Sequence, residues 1–240
     1  GNYGQQRYTA GLRTALIKDN LYLRAAGMYE VMNGFYTNDF NNSDYDKQHS
    51  ISGNYYLKYL VHSRWQISLN AKHTANRNYG TFALVMGKEE AFKDPYHLSQ
   101  NAITEIVDNI FNTSASIIYS GRTFNFLSQS SYQSNYRYYR TPIDADFSQY
   151  EAVSLYNNYG KKWNNVNVFT QEFKFTSPAT SDKRFKWTAG TYFFHQNSPN
   201  KQATVFGKDA APPGSSDINY SLINTTVARG TGIALYGQET

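Results

Sequence analysis

The sequence contains no cysteine and no long apolar run. The missing cysteines exclude a disulfide framework and a thiolate metal site. No stretch approaches the roughly 20 apolar residues that a membrane-spanning helix needs, so any crossing of a membrane has to be made by strands. The 23 basic and 18 acidic residues are scattered, whereas a dedicated nucleic-acid binder concentrates positive charge on one face or run.

Aromatic residues are abundant instead, at 17% of the 240 positions, with 22 Tyr and 15 Phe. Both types favour strands. Apolar and polar residues alternate with period two through most of the chain, which predicts strands with two different faces. The cleanest case sets Trp65, Ile67, Leu69 and Ala71 on one face and Gln66, Ser68, Asn70 and Lys72 on the other.

This alternation predicts nine strands, and the connections between them are short and long in turn. The predicted strands are 5–17, 21–32, 48–60, 65–73, 112–119, 124–133, 167–177, 185–195 and 232–240. Short turns are predicted at Lys18-Asp19-Asn20, His62-Ser63-Arg64, Ser120-Gly121-Arg122 and from Pro178 to Lys183. The long connections are 33–47, 74–111, 134–166 and 196–230. In an antiparallel sheet all short turns then fall on one edge and all long loops on the other.

One-sided loops are typical of outer-membrane β-barrels, and several predicted strands reach the ~9–11 residues that cross a bilayer at a tilt. The sequence therefore predicts an all-β, antiparallel transmembrane β-barrel segment, with its apolar face toward lipid and its polar face toward the lumen. The charged strand residues lie opposite the apolar set: Arg13, Arg24, Glu30, Lys58, Lys72, Glu172 and Lys174. A soluble sheet with one solvated face is the alternative that also explains these charges.

Nine strands do not close a bacterial single-chain barrel, which has an even number. An open edge in lipid leaves unpaired backbone groups that cost several kcal/mol each. The chain also begins at Gly1 without a leader pattern. We therefore expect residues 1–240 to be part of one β-barrel domain of a longer or processed chain.

One long connection is predicted to hold a short helix. Asp94-Pro95 is a typical helix start. Beyond it, Ile103, Ile106, Val107 and Ile110 follow at helical spacing.

Four segments resemble the TonB-dependent outer-membrane receptors. The segment from Phe169 to Pro178 is similar to a barrel strand of that family, in which a Gln-Glu pair precedes alternating apolar and basic residues and a Ser-Pro turn, and 187–193 resembles its partner strand. Asp144-Ala145-Asp146-Phe147 resembles an acidic element in a preceding loop, and 234–239 a strand that usually carries Phe-Gly-Gln. Lys174 replaces a common Arg, and Tyr236 a common Phe.

This resemblance implies a 22-stranded barrel in the bacterial outer membrane, surrounded by outer-membrane lipid. It also implies an N-terminal plug, and energy supplied by an inner-membrane coupling protein through a short box, neither of which is visible in this sequence. The implied cargo is a ferric siderophore, with a cobalamin or a glycan left open. The alternatives are a passive outer-membrane porin and a secreted soluble β-protein that binds carbohydrate.

No catalytic constellation, cofactor site, metal site or nucleic-acid interface is predicted. Gly80 to Gly87-Lys88 has the wrong spacing for a phosphate loop, and no two of the five histidines have zinc-like spacing. The carboxylate pairs Asp144/Asp146 and Glu89/Glu90 are sequence neighbours, for which solvated charge or loop hydrogen bonding is the simpler interpretation.

The cluster Tyr136-Arg137-Tyr138-Tyr139-Arg140 is the main candidate for ligand binding. Aromatic and Arg side chains together can bind anionic, aromatic iron chelates by cation–π contact and charge pairing. An aromatic girdle at the outer rim of the barrel is the alternative. The predicted substrate-binding residues, expected to line the extracellular vestibule, are Tyr36, Tyr45, Arg77, Tyr79, Tyr136, Arg137, Tyr138 and Arg140.

Overall fold

The computed structural model describes residues 2–80, 82–85, 87–178, 186–210 and 220–239. Its strands are β1 (Gln6–Ile17), β2 (Leu21–Met32), β3 (Thr37–Asn38), β4 (Ser43–Asp44), β5 (Gln48–His62), β6 (Trp65–Tyr79), β7 (His97–Leu98), β8 (Glu105–Ser120), β9 (Asn125–Thr141), β10 (Ile143–Asp144), β11 (Val153–Tyr156), β12 (Asn165–Thr176), β13 (Trp187–Phe206) and β14 (Ser221–Glu239). Two short helices accompany them, α1 (Lys88–Lys93) and α2 (Lys161–Asn164).

Nine long strands form one antiparallel sheet in which neighbours in sequence are neighbours in space. The order is β1-β2-β5-β6-β8-β9-β12-β13-β14, and these are called the wall strands below. The predicted all-β, antiparallel, barrel-like architecture is confirmed. The predicted turn from Pro178 to Lys183 lies outside the described residues except for Pro178.

The edges of this sheet differ as the sequence predicts. The turn edge carries the short connections, such as 18–20 and 63–64. The loop edge carries loop 1 (33–47), loop 2 (80–104), loop 3 (142–164) and loop 4 (207–220), of which 207–210 and 220 are described.

The strands extend further toward the loop edge than predicted. β6 ends at Tyr79 and not at 73, β9 at Thr141 and not at 133, and β13 at Phe206 and not at 195. The cluster 136–140, predicted to lie in a connection, is therefore part of β9. The prediction was wrong because polar and aromatic residues occupy both faces here, so the alternation weakens while the backbone pairing continues.

The predicted helix beyond Asp94-Pro95 is also wrong. The helix in loop 2 is α1, which precedes this pair, and Ile106, Val107 and Ile110 belong to β8. Ile106 and Val107 are adjacent in sequence and both fully buried. A strand buried on both faces reads as a continuous apolar run, which by spacing alone resembles a helix.

The register aligns the alternating residues of all wall strands into two faces. Leu23 pairs with Leu57, Leu57 with Leu69, and Leu69 with Ala115. The apolar face includes Tyr8, Leu12, Tyr29, Ile51, Tyr55, Trp65, Leu69, Ile117, Phe126, Phe173, Phe193, Ile233 and Leu235. The seven charged strand residues predicted to lie opposite the apolar set do lie on the other face.

No second layer covers the apolar face within the described residues. Ile233 and Leu235 are 75% and 83% exposed, and apolar patches of such extent are rare on soluble monomers. Nearly all fully buried residues lie at the loop edge, among them Tyr45, Gln100, Ile106 and Ile143. In the described part of the chain no helix is long and apolar enough to cross a membrane.

An aromatic band runs along the turn edge of the apolar face. Trp65 lies 4.7 Å from Tyr119 between ring centroids, Tyr119 lies 5.5 Å from Phe124, and Phe124 lies 5.9 Å from Phe175. Phe126 completes the row at 4.8 Å from Phe175. Trp65, Tyr119, Phe126 and Phe175 belong to β6, β8, β9 and β12, and Phe124 directly precedes β9. The band therefore follows the turn edge across four neighbouring strands.

β13 is the longest strand and has two successive neighbours on one side. β12 pairs with it as far as Asn197, and β11 of loop 3 pairs with it from Ala203. Pro199 lies in the interval between them. Proline has no backbone N–H to donate, so a strand tolerates it where one side has no partner strand. On the other side of β13, Pro199 lies opposite Val227 of β14.

Gly190 of β13 is a close-packing position on the polar face. The Tyr236 ring crosses it so that the hydroxyl donates to Glu172 Oε1 at 2.6 Å. A Cβ at Gly190 would lie 2.4 Å from this ring and 2.6 Å from the Phe173 carbonyl oxygen.

Gly190→Ala should therefore destabilise the wall by about 1–3 kcal/mol, the usual cost of overpacking. The measurement is thermal unfolding of the full-length protein in detergent. Gly237→Ala is the control, since its Cβ would meet only the Thr188 carbonyl oxygen at 3.7 Å, an ordinary contact. Equal stability of the two variants would contradict this packing.

Candidate functional site in the long connections

The four long connections are hydrogen-bonded to one another and form a single loop layer over the loop edge. β3 of loop 1 pairs with β4 and, in parallel, with β7 of loop 2. Loop 3 contributes β11 to the main sheet. The long connections are therefore ordered relative to each other.

Gln100 joins loop 1 to loop 2 at the centre of this layer. Its backbone N–H donates to Asn38 Oδ1 at 3.0 Å, and Asn38 Nδ2 donates to its carbonyl oxygen at 2.8 Å. Its side-chain amide donates to the carbonyl oxygens of Phe82 and Leu84, and its side-chain oxygen accepts from the Tyr45 hydroxyl. All its polar groups are thus satisfied, as burial requires.

Loop 3 connects loop 2 to loop 4. Asn101 donates its backbone N–H to the Ser148 carbonyl oxygen at 2.9 Å and its side-chain amide to that of Tyr150 at 2.6 Å. On the other side, the Glu151 N–H donates to Asp209 Oδ2 at 2.7 Å. The hydrogen-bonded chain therefore runs from loop 1 through to loop 4.

Asp144 and Asp146 shape the turn in loop 3. Asp144 Oδ1 accepts the N–H groups of Asp146 and Phe147, while Asp146 Oδ2 accepts the N–H of Val153 at 2.7 Å. The interpretation of this pair as loop hydrogen bonding is confirmed. Burial, together with the neighbouring Asp146 charge, raises the pKa of Asp144 to about 6.

The polar face of the wall carries more positive than negative charge. Its cations are Arg7, Arg13, Arg24, Lys58, Lys72, Arg137 and Lys174, and its carboxylates are Glu30, Asp108 and Glu172. Arg13 and Arg24 stand directly opposite each other on neighbouring strands. Within the described ranges none of these ten groups forms an ion pair, so their field remains available to a ligand.

Two of the predicted binding residues lie in loop 1. Tyr45 is 1% exposed and bonded to Gln100, and burial raises the pKa of its phenol. Tyr45 therefore serves as a structural anchor of the loop layer. Tyr36 is half-buried, and its ring centroid lies 6.2 Å from that of Tyr96.

The remaining predicted residues are divided between the two faces of the wall. Arg137 lies on the polar face, opposite Asp108. The others lie at the loop-edge ends of β6 and β9 on the apolar face: Arg77, Tyr79, Tyr136, Tyr138 and Arg140.

The apolar-face residues form their own contacts. Arg140 Nη1 lies 2.6 Å from Glu105 Oε1, and Arg77 Nη1 donates to Asn109 Oδ1 at 3.1 Å. The rings of Tyr136 and Tyr138 lie 4.9 Å apart. This location fits the aromatic-girdle alternative for these residues.

A surface cleft of about 450 Å³ opens between α1 and loop 3. Its polar lining includes Asp39, Glu90, Asp94 and His97. His97 Nδ1 donates to Asp39 Oδ1 at 2.7 Å, and this hydrogen bond raises the pKa of His97. Across the described residues no group of three or more metal-ligating side chains is assembled.

No local signal in the sequence marks Asn38 and Gln100, the residues that join the loops. Each is a polar residue in a polar stretch, and the pairing partner lies 62 positions away. Asp144 and Asp146 did carry a signal, because Asp residues two apart in a loop commonly bond to the following backbone N–H groups.

Asn38→Ala should uncouple loop 1 from loop 2, because it leaves the buried N–H and carbonyl oxygen of Gln100 without partners. We expect about 2–4 kcal/mol less protection against hydrogen exchange for residues 37–45 and 97–104. Asn41→Ala is the control, since exposed Asn41 accepts only from Ser43 Oγ. Unchanged hydrogen exchange in the Asn38 variant would show that contacts other than the Asn38–Gln100 pair hold loops 1 and 2 together.

Loop 3 should become more stable as the pH falls. The folded pKa of Asp144 lies above the ordinary value of ~3.9, so its protonated form stabilises the fold below the unfolded pKa, and this stability is lost as pH rises through about 6. Local opening of loop 3, followed by hydrogen exchange corrected for intrinsic rates, should be about tenfold less frequent at pH 5 than at pH 7.5.

Asp144→Asn should abolish this dependence and keep the turn, because the amide oxygen can accept the same two N–H groups. Glu90→Gln, a change at an exposed carboxylate of α1, should leave the dependence intact. A pH profile that survives in the Asp144 variant would assign the effect to another group.

No known protein-family profile matches this sequence. In fold, the chain is similar to the ferric yersiniabactin uptake receptor FyuA from Yersinia pestis, with a TM-score of 0.68 and 15% sequence identity. The similarity covers 98% of this chain and 34% of the receptor, so the chain spans about a third of that protein's length. At this identity the comparison shows the fold alone, a barrel-like antiparallel sheet.

Proposed function

We propose that this chain forms part of the wall and outer loops of an outer-membrane receptor that imports a ferric siderophore or a similar scarce nutrient. The observation that carries the proposal is a pair of aromatic bands on the apolar face. One is the turn-edge band at Trp65, Tyr119, Phe124, Phe126 and Phe175. The other lies at the loop edge, where the rings of Tyr136 and Tyr138 of β9 are 4.9 Å apart.

The distance between the two bands matches the thickness of the apolar zone of an outer membrane. Ten residues along β9 separate Phe126 from Tyr136. Ten strand residues rise by ~3.3 Å each, and a tilt of ~40° reduces this length to about 25 Å of height. An apolar zone of about 25 Å between two aromatic girdles is characteristic of outer-membrane barrels.

The two faces then have different surroundings. The apolar face contacts lipid and the polar face contacts the lumen. The turn edge lies in the periplasm, and the loop layer lies outside the cell. Strand backbones in lipid satisfy their N–H and C=O groups only through neighbouring strands, and the continuous register provides this for every wall strand between β1 and β14.

The proposed cargo is anionic. The seven cations on the polar face outnumber three carboxylates, and such a surface attracts negative chelates. FyuA, which has a similar fold, is a receptor for ferric yersiniabactin uptake. Energy coupling through a plug and an inner-membrane protein belongs to the same proposal.

The loop layer and Arg137 are proposed to form part of the extracellular vestibule. Arg137 is exposed, lies on the polar face near the loop edge and has no ion-pair partner in the described ranges. Tyr36 and the apolar-face residues Arg77, Tyr79, Tyr136, Tyr138 and Arg140 remain predictions. The register favours Arg137 over these apolar-face residues for direct contact with cargo.

Arg137→Ala in the full-length protein should weaken binding of an anionic iron chelate by about ten- to a hundredfold, the loss of one charge-assisted hydrogen bond. The measurement is equilibrium binding of radiolabelled ferric catecholate, hydroxamate and phenolate chelates. Arg122→Ala, the same change at the turn edge, is the matched control.

Arg140→Ala tests whether the cargo contacts the polar face, where Arg137 lies, or the apolar face, where Arg140 lies. The register predicts a smaller effect than for Arg137, because Arg140 pairs with Glu105 on the apolar face. Equal affinity of all three variants for every chelate that the parent protein binds would remove Arg137 from the site. Passive uptake of small solutes without chelate binding would favour a porin.

A further inference from the structure

Three lysines lie among the aromatic rings at the loop edge of the apolar face, and none of them has an acidic partner among the described residues. They belong to the rim cluster, which we define as Tyr136, Tyr159, Lys161, Lys162, Trp163 and Lys201. Lys161 Nζ lies 5.8 Å from the centroid of the Tyr136 ring, and Lys201 Nζ lies 4.4 Å from that of Tyr159. The cluster connects β9, α2 and β13.

The cluster lies on the apolar face. Tyr136 shares its side of β9 with Phe126 and Tyr132 by the alternation of the strand. Lys201 shares its side of β13 with Phe193 and His195. α2 contacts both strands on this side, because its Lys161 lies over the Tyr136 ring of β9 and Lys201 of β13 lies 5.9 Å from the centroid of its Trp163 ring.

The segment that carries the cluster is held rigidly. Asn157 Oδ1 accepts the N–H of Tyr139 in β9 at 2.7 Å, and Asn164 Oδ1 accepts the N–H of Tyr159 at 3.3 Å. Both asparagines are buried. The rim cluster is thus a fixed feature of the wall, unlike a freely moving loop.

The lysines have no neutralising partners of their own. Within the described ranges, the carboxylates near the loop edge are bonded elsewhere, Glu105 to Arg140 and Glu151 to Lys208. None of the three lysines forms an ion pair there. An aromatic girdle requires no cations, so the girdle does not explain the three lysines.

We infer that the rim cluster binds the phosphate groups of anionic lipid headgroups in the leaflet that surrounds the loop edge. The inference rests on the proposed function, which places the apolar face in lipid. Headgroup phosphates lie just beyond the hydrocarbon, at the height of an aromatic girdle. Lysine is a compact positive charge with three donors that suits a phosphate, and nearby rings support its aliphatic stem.

The test uses the full-length protein in neutral detergent, titrated with fluorescent phosphatidic acid or phosphatidylcholine in mixed micelles. The triple variant Lys161→Gln, Lys162→Gln, Lys201→Gln should bind phosphatidic acid about 100-fold more weakly, about fivefold per lysine. Its weak binding of phosphatidylcholine should not change. A triple Lys→Arg variant keeps the charge and should bind nearly as the parent does.

The matched control removes three lysines elsewhere in the long connections, with the changes Lys47→Gln, Lys88→Gln and Lys208→Gln. It should retain binding of phosphatidic acid. Equal binding by parent and rim variant, or equal loss in the control, would overturn the inference. So would competition by inorganic phosphate at the concentration of the lipid, which would indicate a site for free anions.

The two proposals fail in different ways. A full-length protein recovered in the soluble fraction overturns the proposed function, and the lipid site with it. A protein in the outer membrane whose rim variant binds phosphatidic acid as the parent does overturns the lipid site alone.

Discussion

The seven inner wall strands, β2 to β13 in the sheet order, satisfy their backbone N–H and C=O groups through the strands on either side, and this ladder governs the rest of the architecture. It makes the sheet order follow the chain order, with a hairpin at every step. It also leaves the sheet as one layer with two exposed faces. A layer of this kind has no interior of its own, so its chemical character is set by what each face contacts.

The loop layer supplies the buried core that the wall lacks. Its centre is polar, with Asn38 and Gln100 bonded to each other through four backbone and side-chain groups. A buried polar network of this kind is stable only when every member is paired, and it then favours a single arrangement. The loops are thereby held in one geometry at the loop edge, while the charges on the polar face form no ion pairs within the described residues.

The sequence predicted the wall best at the turn edge, where alternation is strict and the turns are short. β1, β2 and the start of β6 agree with the predicted bounds to within a residue. The prediction failed where loops cover the strands. There Ile106 and Val107 are buried on both sides of β8, and Tyr136 and Tyr138 replace aliphatic residues in β9. The pairing of Asn38 with Gln100 has no local signal, because a complete hairpin of β5 and β6 separates them.

The parallel pairing of β3 with β7 has a consequence for how the chain acquires its structure. Thr37 and His97 can meet only after the intervening hairpin has formed and brought loops 1 and 2 side by side. Contacts of such long sequence separation form late, because the chain loses the entropy of closing the long loop before the contact contributes any stability. The wall strands therefore pair first, and the folding chain passes through a stage with open loops that proteases can reach.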